Sequence, residues 1–281
     1  MILFNGKSLT VKHFTNSECK VGELDSLLKD NGNVVEFFYE TERKDYSVNE
    51  DLINLLFVAS DLKRLNRNAK LVFWCMPYQR MDRKCEGDIF TLKPICEYIN
   101  WMSFSEIFVV EPHSKQTLEM LNDAKAIDPL VEWIPEVKKK VGFGTDDYIV
   151  FPDKGAAERY SKYHFAPNIC YFEKKRNNIT NFIEKFDMLG EFSGIGKKCI
   201  IIDDLCSKGD TIFKCCERLV ESGVEEIYVV VTHCEITALS NPIFAPTSKI
   251  KKFFTSKSNI SVEHEKIEYL DVDLSRVLGE K

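Results

Sequence analysis

Short apolar runs alternate with stretches of helical periodicity along almost the whole chain. The runs at residues 2–4, 34–38, 71–75, 107–110, 148–151, 169–172, 199–202 and 227–231 are rich in β-branched and aromatic residues. They are too short for helices and read as buried strands. Between them, residues 50–65, 91–102, 155–163 and 210–222 carry apolar positions at helical spacing. Alternation of this kind predicts an α/β fold with largely parallel sheets and right-handed crossovers. A polar stretch at 129–147, with Pro135, Gly142 and Gly144, interrupts the pattern. It divides the chain into expected domains 1–138 and 139–281. A second irregular stretch, 173–196, holds Lys174, Lys175, Arg176 and three asparagines, and ends in Ser193-Gly194-Ile195-Gly196. On pattern alone it is an exposed hairpin.

Composition narrows the class. Over 281 residues, 44% are hydrophobic and 29% charged, as in a globular chain large enough for one large or two medium cores. The net charge of −6 argues against a general nucleic-acid surface, though not against a local basic pocket for phosphates. The runs Lys138-Lys139-Lys140 and Lys251-Lys252 read as solvated faces. Ten cysteines lack CxxC pairing, and neither a signal peptide nor a membrane-length apolar span is present. The expectation is a cytoplasmic chain with reduced thiols and no membrane partner.

The chemistry concentrates in Cys199 to Ile212, CIIIDDLCSKGDTI. An apolar strand ends in Asp203 and Asp204, a loop from Leu205 to Lys208 leads to Gly209, and a helix follows. Ligands of open α/β sheets bind at the carboxyl ends of strands. A glycine loop before a helix offers free N–H groups to phosphate. Adjacent acids suit ribose hydroxyls or a hydrated Mg²⁺. The pattern points to a phosphorylated sugar; an ordinary βα turn with an acidic cap is the plainer alternative. Cys206 falls in this loop, where it is expected to be exposed and to be a spectator rather than a nucleophile.

This stretch resembles the ribose-phosphate loop of the phosphoribosyltransferase fold, two acids followed by Ser/Asp-Thr-Gly-Gly-Thr. A second block, Met76 to Lys84 (MPYQRMDRK), precedes Glu111-Pro112-His113-Ser114. The order resembles the ribose-phosphate pyrophosphokinase (PRPP synthetase) family, which has Pro-Tyr-x-Arg-Gln-Asp-Arg/Lys-Lys and then Asp-Leu-His. Phe14-Thr15-Asn16-Ser17-Glu18, Pro152-Asp153-x-Gly155 through Arg159, Lys174-x-Arg176 and Val231-Thr232-His233 match further family blocks in the right order.

The resemblance implies two phosphoribosyltransferase-like domains with the active site between them. It implies transfer of a diphosphoryl group from ATP to the anomeric hydroxyl of ribose 5-phosphate, with Mg²⁺ as cofactor. Phe14, Asn16, Glu18, Arg80, Asp82 and His113 would bind ATP. The first three would come from a neighbouring subunit, so the expected state is a homo-oligomer with a shared ATP site. His113, Asp153 and Asp203 would hold metal, directly or through water. Asp203, Asp204, Ser207, Lys208, Gly209, Asp210 and Thr211 would bind the sugar phosphate. Lys174 and Arg176 would stabilise the transition state from a mobile flap. Each has a plainer reading: Phe14 as a core aromatic, His113 as a loop histidine, the flap as a basic surface loop.

The chain departs from the family at several points. Lys208 stands for threonine and Asp210 for glycine in the phosphate loop. That glycine lets backbone N–H groups approach a phosphate dianion; a carboxylate there opposes it unless Lys208 compensates. ADP-ribose, whose 5-phosphate is a less charged diester, is therefore an alternative acceptor, giving ADP-ribose 1-pyrophosphate for NAD resynthesis. Met81 replaces glutamine beside Arg80. The family's Ser-Arg-x-Pro-Ile-Ser of the allosteric site is shortened to Gly87-Asp88-Ile89-Phe90-Thr91. Cys234-Glu235-Ile236 replaces Gly-Ile-Phe. A non-catalytic regulatory homologue and a phosphoribosyltransferase that consumes PRPP are the competing classes. The retained acids and basic residues argue against the first, and the MPYQRMDRK block against the second.

Overall fold

A computed structural model describes the chain except residues 41, 43–45, 86, 177–182, 190–191, 276–278 and 280–281; the side chains of 174–176 and 183–186 also lie outside the description. The chain divides into two compact units, Met1–Asp128 and Pro129–Lys281. This division precedes the helix Leu130–Lys140, whereas position 138/139 falls inside it.

The first unit contains, in chain order, β1 (Ile2–Phe4), β2 (Lys7–Ser8), β3 (Thr10–His13), β4 (Cys19–Gly22), α1 (Leu24–Leu27), β5 (Asn33–Phe37), α2 (Val48–Arg64), β6 (Ala69–Phe73), α3 (Leu92–Met102), β7 (Ile107–Val110), α4 (Lys115–Met120) and β8 (Ala124–Ile127). Its main sheet has the order β2-β1-β5-β6-β7-β8. Strands β5 to β8 are parallel, and β1 joins β5 antiparallel. The period-2 rule places Leu71 and Phe73 of β6 on one face. There they pack with Leu55 and Val58 of α2 and Cys96 and Ile99 of α3. Strands β3 and β4 form a separate two-stranded sheet.

The second unit contains α5 (Leu130–Lys140), β9 (Tyr148–Phe151), α6 (Lys154–Tyr160), β10 (Ile169–Arg176), β11 (Ile183–Leu189), β12 (Lys198–Cys206), α7 (Asp210–Glu221), β13 (Glu226–Cys234), β14 (Ile250–Thr255) and β15 (Ile267–Tyr269). The sheet order is β11-β10-β9-β12-β13-β14-β15, parallel except for β11. Both faces are covered, which explains the unbroken apolar run of β12. Cys199 and Ile201 pack on the side of Cys215 and Leu219 of α7. Ile200 and Ile202 pack on the side of Trp133 and Ile134 of α5 and Ala156 and Tyr160 of α6. The α/β class with largely parallel, helix-flanked sheets is the one expected from the sequence. No described helix is long and apolar enough to cross a membrane.

Two expectations need correction. Strand β12 does not end at Ile202 but continues through both acids to Cys206, because each residue from Lys198 to Asp203, and then Leu205 and Cys206, is paired with β13. The loop therefore shrinks to Ser207–Gly209. Cys206 is accordingly buried in the strand opposite Cys234, at 2% exposure. Contact with the Cys234 thiol, then burial, pushes its own thiol well above the usual range. Native protein at pH 7.5 should leave Cys206 unlabelled by iodoacetamide while exposed Cys85 reacts. Peptide mapping by mass spectrometry would show this, and rapid labelling of Cys206 would contradict it.

Candidate active site

Each unit carries one cluster of the anticipated residues at the carboxyl edge of its sheet. In the first unit the segment after β6 holds Gln79, Arg80 and Asp82, and the segment after the neighbouring β7 holds Glu111 to Ser114. Gln79 connects the two. It is buried, its Oε1 accepts the His113 backbone N–H at 3.0 Å, and its Nε2 donates to Cys75 Sγ at 3.4 Å. Arg80 is exposed, and Asp82 and His113 are half-buried. Backbone turning is concentrated at non-glycine residues: Tyr78 has φ +60° and Glu111 φ +45°, both in the left-handed region. Glu111 is 3% exposed, and its N–H donates to Ile127 at 2.9 Å. The structure thus brings Arg80, Asp82 and His113 to adjacent loops. Gln79, the variable position inside the Pro-Tyr-x-Arg block, is the residue that sequence reasoning passed over.

Phe14, Asn16 and Glu18 lie elsewhere, at the tip of the β3–β4 hairpin. The Phe14 N–H donates to the Glu18 carbonyl at 2.8 Å, and the Glu18 N–H to Asn16 Oδ1 at 3.2 Å. Ser17 takes φ +69° to close the turn. Phe14 is 55% exposed, which excludes a core role, and Lys20 Nζ stands 5.9 Å from its ring centroid.

In the second unit three acids meet. Asp153 precedes α6 and caps it, its Oδ1 accepting the Ala156 N–H at 2.9 Å. Asp203 and Asp204 lie on the neighbouring β12, and the Asp204 N–H donates to Asp203 Oδ1 at 3.0 Å. Arg159 reaches from α6 to Asp204 with 2.8 Å between Nη1 and Oδ1. Burial works against the guanidinium charge, but Asp204 and Tyr160 outweigh it and hold Arg159 above its ordinary value. Asp203 is different. Burial, then Asp204 and Asp153, raise its carboxyl well above the usual range, and Arg159 only partly opposes this. Arg159 belonged to a matched block, but its partner Asp204 lies 45 positions away and could not be read from the sequence.

The phosphate loop follows. Gly209 precedes α7 with φ +84°, and a Cβ there would meet Ile243 Cδ1 at 2.7 Å. Ser207 Oγ donates to Glu235 Oε2 at 2.5 Å. Lys208 and Asp210 are exposed, and Thr211 is half-buried in the first turn of α7. Lys174 and Arg176 lie on β10, whose backbone pairs Lys174 with Phe186 and Arg176 with Ile183 of β11. The described backbone of the stretch thus forms two antiparallel strands. Those two side chains, and Asn177, Asn178 and Asn181, lie outside the described residues.

Carboxylate oxygens are the donor type that a hard divalent cation takes. Asp153, Asp203 and Asp204 are oxygen donors, and the crowding that raises Asp203 is what a nearby cation relieves. Among the described residues no group of three or more His, Cys, Asp or Glu side chains forms a metal cage. Mg²⁺ commonly needs only one or two carboxylates, with substrate phosphates and water completing its shell.

No family model matches the chain. The chain is 30% identical over 237 residues to the ribose-phosphate pyrophosphokinase of Pyrococcus abyssi, covering 83% of this chain and 79% of that one. It is 29% identical over 262 residues to the ribose-phosphate pyrophosphokinase of Pyrococcus furiosus, covering 86% and 88%. With that of Sulfurisphaera tokodaii it shares 29% over 204 residues, covering 71% and 67%. Among solved structures, phosphoribosylpyrophosphate synthetase from Mycobacterium smegmatis superposes with a TM-score of 0.77 over 96% of this chain and 87% of that one. At 18% identity this is a likeness of fold.

Proposed function

Because the chain belongs to the ribose-phosphate pyrophosphokinase family of transferases, we propose that it moves the diphosphoryl group of ATP to the anomeric hydroxyl of ribose 5-phosphate, giving PRPP and AMP. The observation that carries this reading is the Asp153, Asp203 and Asp204 cluster, tied by Arg159, beside a loop that ends in left-handed Gly209.

The acceptor hydroxyl oxygen attacks the β-phosphorus of ATP. The bond from that phosphorus to the oxygen bridging the α-phosphate breaks, AMP leaves, and the hydroxyl proton passes to solvent. The chain's task is positioning and charge stabilisation. Asp203 and Asp204 accept the ribose hydroxyls, and Arg159 fixes the Asp204 carboxylate through their ion pair. Ser207 to Thr211 take the 5-phosphate. Gln79 holds the His113 backbone, Arg80 and Asp82 meet the nucleotide, and Lys174 and Arg176 face the charge spreading over the moving group. The exposed Phe14–Glu18 tip supplies adenosine contacts to a neighbouring copy, so the working form is a homo-oligomer. Mg²⁺ would be held by Asp153 and Asp203 in the second unit, and separately by His113 in the first, and would neutralise phosphate charge.

One observation favours a second acceptor, ADP-ribose. The first residue of α7 carries its own carboxylate, Asp210, where a terminal phosphate dianion would meet the helix N-terminus. A diester phosphate brings less charge to that place. AMP release, measured with ribose 5-phosphate and ADP-ribose in parallel, tests both readings. Asp210→Asn should raise kcat/KM for ribose 5-phosphate relative to ADP-ribose by ~10-fold, about 1.4 kcal/mol. A wild-type enzyme that already strongly prefers ribose 5-phosphate overturns the second reading, and one inactive with both acceptors overturns the first as well.

A further inference from the structure

The phosphate loop is braced from one side by the segment after β13. The Glu235 N–H donates to the Cys206 carbonyl at 2.8 Å, and Thr237 Oγ1 donates to the Ser207 carbonyl at 3.1 Å. Beyond them stands Asn241, whose side chain makes three hydrogen bonds. Nδ2 donates to the Lys208 carbonyl at 2.9 Å and to Asp210 Oδ1 at 3.1 Å. Oδ1 accepts the Ile243 N–H at 3.1 Å and caps the 3-10 turn Pro242–Phe244. That turn is anchored, since Ile243 and Phe244 are buried in the α7-side core. Asn241 is thus fixed at one end to the core and at the other to both sides of Gly209.

We infer that Asn241 is a positioning residue that holds the Asp210 carboxylate in place at the first turn of α7, so that the loop selects acceptors by the charge on their phosphate. An exposed aspartate at a helix start is otherwise free to swing into solvent, where its effect on a phosphate would be screened. The amide donor gives Asp210 one place to stay. The same amide holds the Lys208 carbonyl, so loop backbone and carboxylate are set together. This inference deepens the proposed reading of the acceptor site and rests on it.

Two substitutions separate positioning from a merely structural role. Asn241→Ala removes the donor and releases Asp210. Asn241→Asp keeps the acceptor that caps Ile243, loses the donor, and adds a carboxylate beside Asp210. The ratio of kcat/KM for ribose 5-phosphate to that for ADP-ribose should rise ~3-fold in Asn241→Ala and fall ~3-fold in Asn241→Asp. In an Asp210→Asn background, Asn241→Ala should move the ratio by less than about 1.5-fold, the non-additivity expected of two residues acting through one contact. In parallel, the Tm rise produced by inorganic phosphate should be larger than wild type in Asn241→Ala and smaller in Asn241→Asp. Ratios that move together in both variants, or effects additive with Asp210→Asn, overturn the inference and leave Asn241 as a structural cap. Wild-type protein inactive with both acceptors defeats the reaction reading, and the phosphate-induced Tm series then decides Asn241 alone. Equal phosphate shifts in wild type and both variants overturn it there.

Discussion

Asp203→Asn gives a protein more stable than wild type at neutral pH and at least ~10²-fold slower in kcat, the scale of loss when preorganised charge stabilisation is removed. The stability gain follows from the direction of the Asp203 shift. Its carboxyl titrates above its unfolded value because of burial and the neighbouring Asp204 and Asp153. Between the two values the native state holds a proton that the unfolded chain has released, so stability falls as pH rises through that window. Above the window the cost is fully present. Asparagine removes the charge, and its Oδ1 still accepts the Asp204 N–H that Asp203 accepts now. At pH 8 the variant should melt about 2–4 °C above wild type, what ~1 kcal/mol produces in a domain of this size. The gap should close as pH falls toward the ordinary carboxylate range. A lower Tm at pH 8 would mean that the cluster is already compensated within the protein, and the case for a cation there would weaken. Gain of stability with loss of activity is the signature of a site that holds like charges together for its ligand.

Lys174→Ala and Arg176→Ala should each lower kcat by at least ~10²-fold while changing KM for ATP and for acceptor far less. Both residues are proposed to act on charge that appears only as the diphosphoryl group moves, so ground-state binding has little to lose. Steady-state kinetics with either substrate varied provides the check. Losses confined to KM would place the two cations on bound ATP rather than on the transition state. Near-normal kcat in both would reduce the β10–β11 pair to a basic surface feature.

What the sequence disclosed and what it hid have physical reasons. The central parallel strands were legible because both faces of each are covered, so they carry almost no polar residue. The helix α5 was not. Its Leu130, Trp133, Ile134 and Val137 have helical spacing and are buried, but Pro135 and the three lysines gave the stretch the look of a linker. Strand β14 was hidden by exposed Lys251 and half-buried Lys252, which precede Phe253 and Phe254, one buried on each face of the sheet. The two acids masked the last turn of pairing in β12, since a strand that continues through charges contradicts the simple pattern.

At the site, residue types in local blocks were readable, and the contacts between blocks were not. Gln79 to His113 spans 34 positions and Asn241 to Asp210 spans 31. Such pairs arise from adjacent strands delivering their following loops to the same edge, which no local pattern encodes. The departure at Asp210 was visible as a charge in the wrong place. That the charge is held there by an amide from the next crossover required the fold.

The most direct test of the central claim is the fate of the phosphates in one turnover. ATP labelled separately at the β- and γ-phosphorus, with Mg²⁺ and a 5-phosphoribosyl acceptor, should yield a sugar product carrying both labels in equal amount, with AMP as the nucleotide. Transfer of the γ-label alone, with ADP as the acceptor-dependent nucleotide product, would contradict it.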